Sequence, residues 1–200
     1  MAQPDCLPHV FYERDVVQVA RELLGMRLVR ALNGTRIAGI IAETEAYRGE
    51  EDLASHARVG RTARTQVMYG PPGRAYIYFI YGVHWCLNFV AMPDGFPAAV
   101  LIRTIFPTEG LDEIAARRPN RPRVDWVNGP GKLTQALAID GSLNETDLCG
   151  PDTELWAEPA QPVPDSIVTA GPRIGINWAE EPWRSQPWRF LIQQKAWKTL

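Results

Sequence analysis

The sequence predicts an α+β domain in which hairpin-connected strands carry a few short helices. Three observations predict it. The chain has 200 residues, 46% of them apolar, enough to bury one core or two very small ones, and no linker composition interrupts it. Asn33-Gly34 stands between two apolar-rich runs, the strongest short hairpin signal. Alternating aromatic and aliphatic residues from Ala75 to Ala91, broken at Gly82, ask for a second strand pair.

From the N-terminus, Asp15 reads as a helix cap with Gln18 as its reciprocal partner. Apolar Val16, Val19, Ala20, Leu23 and Leu24 follow, so a helix is expected over Val16–Leu24, ended by Gly25. Met26–Leu32 and Thr35–Tyr47 form the first hairpin. Strict alternation would put Ile37, Gly39, Ile41, Glu43, Glu45 and Tyr47 on one face, so that strand leaves the core and enters a cleft. Arg48–Pro72 reads as a long loop, and such loops in compact domains are usually functional. Further strands are expected at Ala98–Ile105, Arg173–Asn177 and Arg189–Gln193, and helices at Glu109–Arg118 and Lys132–Ala138.

Several classes are excluded early. Apolar runs such as Ala98–Ile102 and Ala75–Tyr81 fall far short of a membrane span. Met1–Pro8 has no apolar signal core, and Cys6, Cys86 and Cys149 are odd in number without CxxC spacing. A reducing cytoplasmic location is expected, with neither disulfides nor a zinc knuckle. His9, His56 and His84 lack metal-ligand spacing, and no metal or cofactor is expected. Gly129-Pro130-Gly131-Lys132 lacks the spacing of a nucleotide phosphate loop, although a lysine at a helix start can touch a phosphate. The formal charge is −2, unevenly spread: Arg58–Lys132 holds ten basic and five acidic residues, a net +5, against −7 elsewhere. A basic middle can focus a polyanion, though charge alone favours a solvated surface.

Three groups could carry chemistry. Glu43 and Glu45 share a strand face about 7 Å apart, close enough to perturb each other's ionisation. Arg103 interrupts an apolar strand; either it pairs with a carboxylate, Glu45 being the candidate, or it faces solvent at an edge. Cys86 reads as core. The turn around Gly82 is flanked by Tyr81 and Val83 where polar residues are the rule. Such a turn either packs against something or wedges into a base stack.

Taken in order, Glu43-Thr44-Glu45-Ala46-Tyr47, Ser55-His56, Tyr76–Gly82, Cys86-Leu87-Asn88, Leu101-Ile102-Arg103, Asn128–Leu133 and Arg173–Ile176 resemble the alkyladenine (methylpurine) DNA glycosylase family over Leu7–Ile192. The resemblance implies a single α+β domain with a curved antiparallel sheet, a protruding hairpin and no cofactor. It implies a monomer that acts on double-stranded DNA containing damaged purines, releasing the base and leaving an abasic site. By position, Glu45 matches the general base, and Arg103 and the carbonyl of Ile174 match the groups that hold the attacking water. Tyr47, His56, Tyr78 and Asn88 match the base pocket, Asn88 disfavouring the amino group of guanine. Tyr81 matches the side chain that fills the vacated stack. Arg61, Arg64 and Lys132 are the candidate phosphate contacts from the basic stretch. His84-Trp85 departs from the aromatic pair of vertebrate members, whose basic N-terminal extension is also missing. A nucleosidase would share the carboxylate and aromatic walls without needing an apolar turn amid arginines, and a non-catalytic module would use the tyrosines alone.

Overall fold

The computed structural model describes residues 5–193 of the chain. The elements in order are α1 (His9–Tyr12), α2 (Val16–Glu22), β1 (Arg27–Leu32), β2 (Thr35–Arg48), β3 (Ala75–Ile80), β4 (His84–Val90), β5 (Ala98–Glu109), α3 (Leu111–Arg117), α4 (Pro130–Ala136), β6 (Leu155–Glu158), β7 (Val168–Gly171) and β8 (Arg189–Ile192). All strands join one open antiparallel sheet in the order β3-β4-β5-β2-β1-β6. The long β2 reaches past β1, and β8 takes the vacated edge at Glu43–Glu45, with β7 outside it.

Asp15 starts α2 as expected: its carboxylate accepts the Val17 and Gln18 N–H groups. Val19 and Ala20 of α2, and Leu23 just after it, then pack against β2 and β5 and share the main core with Ile41 and Ala46 of β2, Phe89 of β4, Val100 and Ile102 of β5, and Leu133 of α4. Each of the larger side chains, the valines, leucines, isoleucines and Phe89, contributes about 1.5–3 kcal/mol by burial, and the alanines less. The alternate residues of β4 and β5, Val90 and Ala99, join Tyr76, Val67 and Met68 in a second cluster on the other face of the sheet.

Strict alternation along β2 fails at one place, with consequences for the site. Ile41 pairs with Ile105 and Thr44 with Ile102, and the register shifts on both sides of Glu43. Ile37, Ile41 and Ala46 therefore all face the main core, and the Thr44 hydroxyl donates to Ala20 O of α2 at 2.7 Å. Glu43, Glu45 and Tyr47 do not share a face with Ile37 and Ile41; a β-bulge turns them to the opposite side. A bulge bends its strand and re-aims the side chains beyond it, and here it carries two carboxylates out of the core face.

Other boundaries also differ. Arg48–Pro72 is not featureless: it holds 3₁₀ turns at His56–Val59 and Gln66–Tyr69, the first capped by the Ser55 hydroxyl. β5 runs on to Glu109, so α3 starts at Leu111. Proline at the first position starts α4 two residues before Lys132. Arg173–Asn177 is not a strand but a turn, whereas β6 and β7 arise in the proline-rich tail. Residues 1–4 of the N-terminal stretch lie outside the described residues. Among the described residues, no helix is long and apolar enough to cross a membrane.

Candidate active site

The sheet register builds a transverse row on the face opposite the main core. Glu45 lies beside Leu101, Leu101 beside Asn88, and Asn88 beside Tyr76. Above this row opens a cavity of about 470 Å³. Its walls include Tyr47, His56, Tyr76, Tyr78, Asn88, Leu101, Arg103, Ile174 and Trp178, with Tyr81, His84 and Lys132 toward the hairpin side.

Glu45 is fully buried directly behind the cavity wall. Its Oε1 accepts the backbone N–H of Ile174 at 2.7 Å and lies 3.3 Å from Arg103 Nη1. Its Oε2 accepts the Tyr47 hydroxyl at 2.8 Å. All three partners line the cavity. Burial pushes the Glu45 carboxyl above the ordinary carboxylate range, while Arg103, the Ile174 N–H and the Tyr47 hydroxyl pull it back toward the ionised form. Burial and the adjacent Glu45 hold the Tyr47 phenol well above its usual value, so it is a neutral donor. Of the two readings of Arg103, pairing holds: Nε bonds Glu43 at 3.1 Å while Nη1 reaches Glu45. Glu43 also accepts from Thr104 and Arg189, neither of which lines the cavity, so two of its three donors lie away from the lining. Ile174 meets Glu45 through its backbone N–H, a contact separate from the water-holding role expected of its carbonyl.

Sequence reasoning assigned no role to Arg173, and the structure makes it the anchor of this corner. Its side chain is completely buried and pairs with equally buried Asp52 at 2.5 and 2.9 Å. It donates further to Ala46 O and Trp183 O, and its guanidinium lies 4.7 Å from the Tyr47 ring and 5.1 Å from Trp188. Arg173 thus fixes two of the three residues that hold Glu45: Tyr47 by stacking, Ile174 by adjacency. The only sequence signal was an arginine and an aspartate beside apolar neighbours, 121 positions apart.

The aromatic walls are rigid. His56 Nδ1 and the Tyr76 hydroxyl are 2.9 Å apart, and the His56 ring meets Tyr78 edge-on at 4.6 Å. Burial, then Arg64 and Arg58, lower the His56 pKa to about 4, so the ring is neutral near pH 7. Asn88 is buried, and its amide donates to Tyr76 O at 3.0 Å. Cys86 is buried as core yet also reaches the cavity wall.

The hairpin tip is built as a tight turn. Val83 N–H donates to Ile80 O at 3.2 Å, with φ of 54° at Tyr81 and 69° at Gly82. Glycine fits such a position; tyrosine fits it poorly. The Tyr81 side chain is nevertheless 83% exposed, with Val83 exposed beside it. His84 and Trp85 brace the turn from below. A Cβ at Gly131 would come within 2.9 Å of His84, and Trp85 packs on Phe79 and over Gly141. Gly131 thus serves packing, whereas a Cβ at Gly129 would meet nothing closer than Lys132 at 4.0 Å, and Gly129 caps α4.

The basic candidates are unequal. Arg61 and Arg64 are exposed and lie 5.3 Å and 4.8 Å over the Tyr69 and Tyr78 rings. Lys132 bonds Asn128 at 2.8 Å and lies 3.6 Å from Asp125, so its charge is partly answered. Among the described residues, His9, Asp147 and Cys149 bring ligand-type atoms within 4.8 Å of one another, a grouping their sequence spacing did not suggest. None of them lines the cavity, and Asp147 is already engaged by the Cys149 N–H and by Arg74.

A relative in Anaeromyxobacter dehalogenans (strain 2CP-C) is 47% identical over 96% of this chain and 85% of its own length. One in Methanocella arvoryzae is 48% identical over 92% and 90%, and one in Carboxydothermus hydrogenoformans 44% identical over 96% and 97%. Each carries the name "Putative 3-methyladenine DNA glycosylase". The family described as Methylpurine-DNA glycosylase (MPG) matches residues 10–196, and with most of its length covered the chain belongs to that DNA-repair family.

Proposed function

We propose that this chain, acting as one domain and as a cytoplasmic monomer, is a monofunctional DNA glycosylase for alkylated or deaminated purines. It extrudes the damaged purine from duplex DNA into the aromatic cavity. Water then attacks C1′ of the sugar, the N-glycosidic bond breaks with its electron pair leaving on the purine, and Glu45 takes the proton of the water. Free base and an abasic site result; a deaminated purine, uncharged before cleavage, leaves as an anion and takes up a proton from solvent. A purine alkylated at N3 or N7 carries positive charge and departs neutral, so the barrier lies in extrusion and in the developing sugar cation. Extrusion costs a few kcal/mol, least at damaged pairs. An ionised Glu45 answers the sugar cation electrostatically and serves as base. No lysine lies among the three partners of Glu45, which favours hydrolysis without a Schiff base.

One observation carries the reading: a single buried carboxylate, held by three groups that each line an aromatic cavity. Tyr81 adds to it, since neither burial nor backbone preference accounts for an exposed tyrosine at φ 54°. The test is a set of duplexes with one lesion each, scored for released base, with free nucleosides alongside. Release from alkylated duplex and not from free nucleoside supports the reading; hydrolysis of nucleosides alone would make the chain a nucleosidase, and binding without release a passive module.

A further inference from the structure

Arg58, Arg61 and Arg64 are spaced three residues apart through the turn that follows His56. All three are exposed, and among the described residues none lies within 4.0 Å of a carboxylate. Most other arginines, among them Arg14, Arg21, Arg27, Arg30, Arg36 and Arg48, have an acidic partner, while Arg118, Arg121 and Arg123 also lack one among the described residues. Each of the three instead lies over an aromatic ring: Arg58 over Trp178 at 4.4 Å, Arg61 over Tyr69, and Arg64 over Tyr78. A ring face orients a guanidinium without consuming its N–H donors.

Arg58 has the closest stack and the most telling support. Its Nη1 donates to Ser55 O at 3.3 Å, which ties it to the turn holding His56. Trp178 lines the cavity yet is 56% exposed, and its indole N–H is fixed on Gly175 O at 3.1 Å. It follows Ile174 and Gly175 on the segment that contacts Glu45, so the Arg58–Trp178 pair forms the rim of the cavity on the side of that segment. Tyr81 belongs to the hairpin, a different part of the wall. The exposed indole costs hydration, the hydrated cation beside it does not, and a nucleic-acid strand is a partner that can cover the one and answer the other with phosphate.

We infer that Arg58, preset by Trp178, is a phosphate-binding site for the lesion-bearing strand, and that Trp178 is its positioning residue. This rests on the DNA-glycosylase reading above. With the wedge at the hairpin and this grip at the rim, the extruded nucleotide is held from two separate elements.

The test is the salt dependence of binding to a duplex containing a stable abasic-site analogue, measured by fluorescence anisotropy with the full chain. Arg58→Ala should lower the magnitude of the log–log slope by about 0.9, one phosphate. Arg14→Ala, which removes a cation paired with Glu22, should leave the slope where it is. Trp178→Ala keeps the charge of Arg58 but frees it, so affinity should fall about 3-fold or more, with Trp178→Phe recovering most of the loss. Because Trp178 is more than half exposed, these variants should fold, and circular dichroism checks that they do. An unchanged slope in Arg58→Ala, or equal affinity in Trp178→Ala, overturns the inference while base release by the parent keeps the enzymatic reading. A parent that neither binds duplex nor releases base overturns both.

Discussion

Replacing Tyr81 by glycine separates what this residue does for the fold from what it does for DNA. Its side chain is 83% exposed, so removing it forfeits little packing. Its backbone stands at φ 54°, where a non-glycine residue costs roughly 1–2 kcal/mol. Glycine removes that cost but gives the unfolded chain extra freedom worth about 0.5–1 kcal/mol. The net is a variant more stable than the parent by on the order of 0.5–1 kcal/mol. Tyr81→Ala keeps the strain and should stay near the parent. For extrusion the two variants should agree: both lose an aromatic–base stack worth about 1–3 kcal/mol, roughly a 5- to 150-fold fall in the flipping equilibrium. The loss should shrink for a target in single-stranded DNA. Urea unfolding reads the first effect, and a fluorescent base analogue at the target position reads the second. If both variants extrude the analogue as fully as the parent, the wedge role is wrong. If Tyr81→Gly lowers stability by more than about 1 kcal/mol, the tyrosine packs in solution and the strain argument fails.

Three further predictions follow from the site. Arg173→Met strands Asp52 as a buried unpaired charge, so stability should drop by about 3–5 kcal/mol and base release should fall with it; the double variant Arg173→Met/Asp52→Leu should cost less than the two single changes added, as urea titration would show. Arg61→Ala and Arg64→Ala should each reduce the salt slope for duplex binding by about 0.9, and Lys132→Ala by less because Asp125 already answers its charge; equal effects from all three would show that the ion pair opens on DNA. The pH profile of single-turnover base release should have an acid limb above the ordinary carboxylate range, because burial raises Glu45, and no step near pH 6.5 from His56, whose pKa is about 4. The sign for stability follows. A carboxyl raised in the folded state binds protons there more readily than when unfolded, so ionising Glu45 lowers stability as pH rises through that range. Glu45→Gln should therefore be more stable than the parent near pH 7, and the difference should vanish below pH ~4, where the carboxyl is protonated in both states.

How much of this was legible in the sequence depends on the range of the interactions. Asp15, Asn33-Gly34 and Gly82 act through their own neighbours, so the first helix and both hairpins could be read. The β2 bulge could not, because it reflects how β2 and β5 shift together around Glu43, and strict alternation put Glu45 on the wrong face for the right reason, exit from the core. The proline-rich tail hid β6 and β7, which are fixed by pairing with β1 and β8 and not by local preference. Glu45 and Arg103 showed as charges in apolar strands, which is a signal of pairing. Arg173 and Asp52 gave no such sign, since each sits in a turn where charged residues are ordinary.

Glu45 and Glu43 offer the most direct discrimination, because the two carboxylates differ by two positions and share Arg103, yet only Glu45 is held wholly by cavity-lining groups. Single-turnover release of an alkylated purine from duplex DNA, at saturating protein, should be measured for Glu45→Gln and Glu43→Gln with binding to the same duplex as control. Glu45→Gln is predicted to bind the damaged duplex and release no base, and Glu43→Gln to keep its rate to within about tenfold, a loss of ~1.4 kcal/mol through Arg103. Near-parental release by Glu45→Gln, or its loss only in Glu43→Gln, would contradict the assignment of Glu45 as the base.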